Sequence, residues 1–323
     1  MRHAFWGAMF LLAGCDGVQS ALYPAGTGSD RIAELFYWMT GGAVLIWLAV
    51  VALGSYCLRA TPPMERRRAA ILVIGGGVIF PTVVLTALLI YGLAMLPGLL
   101  QPAPEGSLRI AVIGEQWWWR VRYFPPDGEP FDLANEIHLP VGQPVQFELH
   151  SADVIHSFWI PSLGGKVDMI PGRTNTLRFS AARAGRYRGQ CAEYCGASHA
   201  LMCLYAVVHE PEDYNRWAER QALAASKSTE PAAARGEELF LTHGCGACHT
   251  VRGSAAGGLI GPDLTHVGSR LSLAAGILPN EPETFLRWIS RAEAIKPGSH
   301  MPSFSILPTD DLNAIAAWLD GLQ

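Results

Sequence analysis

The chain has 323 residues, 50% of them hydrophobic and 16% charged, with a net charge of −4 at neutral pH. That length accommodates more than one domain, and the hydrophobic share is high for a wholly soluble protein. The charge is mild and no basic block is present, so nothing in the composition calls for nucleic acid as a partner.

Most of the apolar excess lies before residue 100. Arg2 and His3 precede an apolar run that ends Leu12-Ala13-Gly14-Cys15. A basic start, a short apolar stretch and small residues before a cut describe an export signal over residues 1–14, which is left out of the fold. The Leu-Ala-Gly-Cys ending resembles a bacterial lipobox, in which Cys15 is lipidated and becomes the mature N-terminus. The alternative is an ordinary signal peptide with an incidental cysteine. Within a segment 15–103, two uncharged stretches, Leu35 to Leu58 and Ala69 to Leu96, predict helices over about 33–58 and 69–97. Each exceeds the roughly 20 residues that cross a bilayer. The loop between them holds Arg59, Arg66, Arg67 and Arg68 against one acid, Glu65. By the positive-inside rule it is cytoplasmic, so both flanks of the hairpin face outward. Gly75-Gly76-Gly77 and Pro81 interrupt the second helix, where small residues let a neighbouring membrane subunit approach closely.

A Pro/Gly-rich linker at 101–106 opens a region, 104–215, of short β-rich runs. Strands are expected at 109–113, 117–123, 136–139, 145–149, 176–179 and 204–208, separated by turns such as Pro-Pro-Asp-Gly. They predict a β-sandwich or barrel. Residues 211–225 read as helical, and an Ala-rich stretch within 216–232 reads as a flexible tether. The last segment, 233–323, is helical, with Thr309 placed to cap its final helix.

Two groups of residues carry chemistry. Cys191-Ala-Glu-Tyr-Cys195-Gly-Ala-Ser-His199-Ala-Leu-Met202 offers two thiols, an imidazole and a thioether within one loop. Soft sulfur with imidazole suits copper better than calcium or magnesium. Two thiolates can bridge two coppers that share an electron, which requires a further histidine, and His156 stands in a loop-like stretch of the same β region. A disulfide between Cys191 and Cys195 is the alternative in an exported chain. His138, His150 and His209 have no motif around them and read as structural or surface residues; Cys57 and Cys203 read as small buried ones. The second group, Cys245-Gly-Ala-Cys248-His249, has the spacing of c-type haem attachment. Met301 is the expected distal ligand, with His300 in reserve, and a zinc or thiol redox site is the competing reading.

Val154-Ile-His156-Ser-Phe-Trp-Ile-Pro161, the 190–202 loop and Gly114-Glu-Gln-Trp117-Trp-Trp119 together resemble cytochrome c oxidase subunit II over residues 30–215. The resemblance implies a multidomain membrane protein: a two-helix transmembrane hairpin, an all-β cupredoxin-like barrel and a fused all-α cytochrome c domain. It implies that Cys191 and Cys195 bridge a binuclear copper centre completed by His156, His199, Met202 and the Glu193 carbonyl. It further implies that the Glu193 carboxylate helps hold magnesium at the boundary with subunit I, and that Trp117 is an exposed electron-entry residue. Cys245 and Cys248 would anchor haem c, with His249 and Met301 as axial ligands. The implied partners are subunits I and III, a cytochrome c or other donor, and the bacterial inner membrane, with both redox domains outside. Where many members carry a glutamate seven residues before the helix proline, this chain has Ile74, so proton entry must use another group. A nitric oxide reductase electron-entry subunit and a copper-delivery protein are the competing functions.

Overall fold

The computed structural model describes residues 17–59, 65–125, 128–226 and 231–323. Cys15, the export signal and the middle of the arginine loop lie outside the described residues. Two compact units are present: Arg31–Gln101, and the sequence on either side of it.

In the first unit, α1 (Thr27–Arg59) is followed by α2 (Arg66–Ala70), a π-helical stretch Ile71–Ile79, and α3 (Phe80–Leu100). Both spans are long and apolar enough to cross a membrane. The Phe80 N–H donates to Gly75 O, five residues back. Pro81 has no N–H to give, and three successive glycines put no side chains in the way of the wider turn. The start of α1 lies ahead of the expected position because polar residues cap it. Ser29 Oγ accepts from the Gly26 N–H at 3.2 Å and donates to Ser162 O at 2.7 Å, and Asp30 favours the positive end of the helix.

The second unit begins with two five-stranded sheets. One runs β3-β2-β1-β5-β8, built from β1 (Leu108–Glu115), β2 (Trp118–Phe124), β3 (Phe131–Ala134), β5 (Pro144–Ser151) and β8 (Asn175–Ser180). The other runs β4-β10-β9-β6-β7, from β4 (Glu136–Pro140), β6 (His156–Trp159), β7 (Val167–Met169), β9 (Gly185–Cys191) and β10 (Cys203–His209). Alternate residues along β2 and β5 turn inward, as a sandwich requires. Phe158 lies 5.9 Å from Trp119 and 5.5 Å from Phe147, ring centroid to centroid, joining the two inner faces.

Several expectations are corrected here. β3, β6, β7 and β9 escape the sequence pattern because they are short or rich in Gly and Arg, and His156 therefore opens a strand instead of sitting in a loop. Trp117 precedes β2 and does not belong to it. The helix expected over 211–225 is present as α4 (Pro211–Ala222), with Tyr214 and Trp217 buried on the sandwich, so residues 216–222 of the expected tether range are helical. Trp217 stacks on His138 at 4.0 Å, and His138 bonds Glu136 Oε1 at 2.8 Å and His209 Nε2 at 2.7 Å. His138 and His209 thus form one network beneath α4. Cys57 is exposed in the isolated chain, whereas Cys203 is buried beside the Arg188 guanidinium, 3.2 Å from its sulfur.

The C-terminal part packs α5 (Pro231–Thr242), α6 (Pro282–Ile295) and α7 (Thr309–Asp320) around Phe240, Phe285, Ile315 and Trp318. A Cβ on Gly236 would meet Ala314 O at 2.1 Å, so α5 and α7 cross where only glycine fits. Thr309 does not cap α7. Pro308 occupies that position, and no side chain closes the helix end.

Burial, reinforced by His138, pushes His209 from 6.5 down to about 4. Its folded value lies below the unfolded one, so the stabilisation is complete above about 6.5 and is lost as pH falls toward 4. The unfolding temperature of the full chain should therefore drop over that interval, and His209→Gln should flatten the slope. An unchanged slope in the variant would exclude His209 as its source.

Candidate metal centre

Strands β9 and β10 pair with Cys203 opposite Gln190, and the Cys191 N–H donates to Met202 O at 2.9 Å. Residues 191–202 are thereby closed into a loop at their base. Gly196 reverses it at φ +118°, a conformation that L side chains rarely adopt. A 3-10 turn, His199–Leu201, returns His199 toward the cysteines. The Ala192 N–H donates to Ser157 O at 3.0 Å, which draws β6 and His156 alongside. A Cβ on Gly114 would lie 2.7 Å from His156 Cδ2, so β1 makes room for the imidazole only because that residue is glycine.

The ligand atoms of His156, Cys191 and Cys195 lie within 4.8 Å of one another, and all three residues are buried. The two sulfurs are 3.8 Å apart and unbonded, which removes the disulfide reading. Two sulfurs each about 2.3 Å from one tetrahedral ion stand roughly 3.8 Å apart, so the spacing fits shared metal ligands. His156 Nδ1 is 3.8 Å from the Cys191 sulfur and His199 Nδ1 is 3.6 Å from the Cys195 sulfur. Met202 Sδ, fully buried, is 3.9 Å from Cys195, and Glu193 O is 3.2 Å from Cys191 Sγ. The donor set is soft and compact, as copper requires. The Glu193 carboxylate accepts from the Tyr194 N–H at 3.2 Å.

The hydrogen bond shared with Cys195 pulls the Cys191 thiol far below the usual range, and the same shared proton holds Cys195 above it. One thiolate is therefore ready for an ion, and binding must displace the second proton. Burial opposes charge on His156, but bonds to Cys191 and Asp153 outweigh it and raise the group. Asp153 Oδ1 takes the far nitrogen of His156 at 2.7 Å, aiming Nδ1 at the sulfurs. Asp153 stands three residues before His156 but belongs to no metal-ligand motif, so the spacing alone does not mark it.

Trp117 is only 7% exposed, against the expected open entry residue. Its indole N–H donates to Cys195 O at 3.1 Å, and Gln116 Nε2 donates to the same carbonyl at 2.7 Å. The C-terminal domain covers its outer side. A Cβ on Gly298 would lie 2.7 Å from the indole, and the His300 ring stands 6.5 Å away. Trp118 packs beneath the Arg120 guanidinium instead.

In the second signature, His249 donates from Nδ1 to Pro262 O at 2.8 Å, which leaves Nε2 free for iron. Burial pushes His249 down and keeps it neutral, the form that ligates. Cys245 and Met301 both pack against the same apolar core, the setting that a haem needs, whereas His300 is exposed.

Residues 126–209 match the family model for the cytochrome c oxidase subunit II periplasmic domain, and 233–323 match cytochrome c. Cytochrome c oxidase subunit 2 of Alkalihalophilus pseudofirmus is 38% identical over 225 residues, covering 69% of this chain and 64% of the relative. The Bacillus subtilis protein of the same name is 32% identical over 229 residues, covering 68% and 63%. The chain thus spans a little under two thirds of the length of these relatives. A crystal structure of the periplasmic domain of subunit II from Bradyrhizobium japonicum aligns at 35% identity and TM-score 0.35, covering 37% of this chain and 96% of that one.

Asp153→Asn weakens the hold on His156 and should lower copper affinity about 10–100-fold, the usual cost of losing such a partner. Competition with a copper chelator measures it, and unchanged affinity would remove Asp153 from the site.

Proposed function

The chain belongs to the cytochrome c oxidase subunit 2 family, and from that membership we propose that it is the electron-entry subunit of a bacterial terminal oxidase. It sits in the inner membrane as a hairpin, with both redox domains on the outer face, and delivers electrons to subunit I, where oxygen becomes water. Cys191, Cys195, His156, His199, Met202 and the Glu193 carbonyl hold the copper pair. Cys245, Cys248, His249 and Met301 hold haem c. When bound, these groups supply one-electron chemistry in series, from a donor such as another cytochrome c toward subunit I.

This chain's own side chains do the rest. Asp153 and Pro262 O orient the two histidines. Cys191 and Cys195 are 4% and 3% exposed, so water has little access to their sulfurs. The Glu193 carboxylate would help to hold a magnesium ion shared with subunit I, and subunit III completes the complex. Tethering makes the haem-to-copper encounter intramolecular.

One observation carries this reading. The Gly298–His300 loop next to Met301 lies on Trp117, and Trp117 in turn hydrogen-bonds the carbonyl of Cys195. A short packed route therefore joins the two signatures. In this reading Trp117, 7% exposed and covered by the Gly298–His300 loop, takes its electron from the chain's own domain and not from an outside donor.

His199→Ala should leave the haem reducible at the wild-type rate but stranded, its reoxidation by oxygen in the assembled complex slowed. Stopped-flow absorbance reads both phases. Oxygen consumption at the normal rate in that variant would overturn the series arrangement.

A further inference from the structure

Lys296 is the one buried lysine or arginine among the described residues. It lies just after α6, is 4% exposed, and is no part of either ligand set. Its Nζ donates to Leu201 O at 3.0 Å and to Ala274 O at 3.1 Å. Leu201 immediately precedes Met202 in the copper loop, whereas Ala274 belongs to the C-terminal domain. One buried amine therefore fastens the outside of the loop to the domain that carries the haem signature.

The backbone around it is shaped for that contact. Ala274, Ala275 and Gly276 have φ of 53°, 64° and 79° in the turn between β11 (Ser272–Leu273) and β12 (Leu278–Pro279). Two non-glycine residues in succession in the left-handed region are costly, and such strain persists only where its surroundings demand it. Here the turn presents two carbonyls toward the sandwich. Ala274 O meets Lys296, and Ala275 O accepts from the Cys203 N–H at 3.1 Å. A Cβ on Gly276 would come within 3.0 Å of Cys203 Cβ, so the approach is close. Further polar bonds cross the same boundary. Ser198 Oγ donates to Pro297 O at 2.7 Å, and the Leu271 N–H donates to Glu136 Oε2 at 2.7 Å. Ser198 and Glu136 are both buried.

We infer that Lys296 and the 274–276 turn form a latch on the copper loop, which holds the haem domain in one fixed docking position instead of letting it swing on its tether. Lys296 is a positioning residue in this account: it touches no ligand side chain, but it sets where Gly298 and Met301 stand relative to Trp117. Burial pushes its amine down to about 7. Either protonation state has the two N–H bonds that the two carbonyls require. The latch rests on the reading of the chain as a haem-to-copper relay for its purpose, but not for its existence.

The test uses the full chain with both cofactors loaded, as wild type and as Lys296→Met, which keeps the apolar stem and removes the donors. Amide hydrogen exchange at Cys203 and Leu271, whose N–H groups cross the boundary, reads docking directly. Wild type should protect both, and the variant should exchange at least about tenfold faster at Cys203, since each lost buried hydrogen bond shifts an opening equilibrium by that order. Haem absorbance and the copper EPR signal should be unchanged. Haem-to-copper electron transfer after flash reduction should be independent of viscosity in wild type and slowed by viscosity in the variant. Fast exchange at both amides in wild type, viscosity-limited transfer in wild type, or equal exchange in the two proteins would each overturn the latch. If the variant fails to bind its cofactors, the two wild-type measurements decide alone. No transfer in wild type despite protected amides would overturn the relay and leave the latch standing.

Discussion

The copper loop depends on how its two ends are pinned. Cys191 closes β9, Met202 stands at the threshold of β10, and a backbone hydrogen bond joins them. With the base fixed, twelve residues must turn back on themselves, and Gly196 and the His199–Leu201 turn decide which way they do so. Two sulfurs then face each other at 3.8 Å without either strand having to move. Such a site is held by the ladder around it, so binding an ion has little backbone ordering left to do. A thiolate pair on a free loop would meet that entropy at each change of ligand position. Electron transfer, which gains from ligands that stay put on reduction, suits a pinned loop.

That constraint extends outward. His156 reaches the sulfurs because β6 pairs with β9, and its ring fits because Gly114 of β1 has no side chain. Trp117 follows directly from the same β1 end and hydrogen-bonds the loop at Cys195. A disturbance at the β1–β2 corner would therefore reach both the histidine and the indole. The two families of contact, one to the ligand and one to the C-terminal domain, share a single corner of the sandwich.

The sequence made the chemistry legible earlier than the architecture. Cys191, Cys195, His199 and Met202 share one loop at revealing spacing, and Cys245-x-x-Cys248-His249 has the spacing of haem attachment, supported by Met301 farther along. His156 could be nominated as the further histidine that two thiolates require, but its place beside Cys191 arises from strand pairing across 35 residues, which the sequence does not show. The strands β6 and β7 were invisible for a simpler reason: at four and three residues they carry too little alternation to be seen. The helix α4 was legible in the 211–225 pattern, but not that Trp217 stacks on His138, a tertiary contact that leaves no local trace. The burial of Trp117 was missed on the same grounds. Residues that expose an indole in one half of a chain reveal nothing about a glycine loop arriving from the other half.

How the two domains meet also bears on why the junction is polar. An apolar interface tolerates sliding, since one aliphatic contact is much like the next. The boundary here is made instead of directed bonds: Lys296 to two carbonyls, Ser198 to Pro297, and Glu136 to the Leu271 amide. The side chains of Lys296, Ser198 and Glu136 are buried, so a shift of one residue would leave those polar groups without water or protein to satisfy them. Such a boundary adds little net affinity compared with a greasy one of equal area. It gives uniqueness of position. The C-terminal domain must place one loop against one indole, and position is the property that its polar groups are arranged to secure.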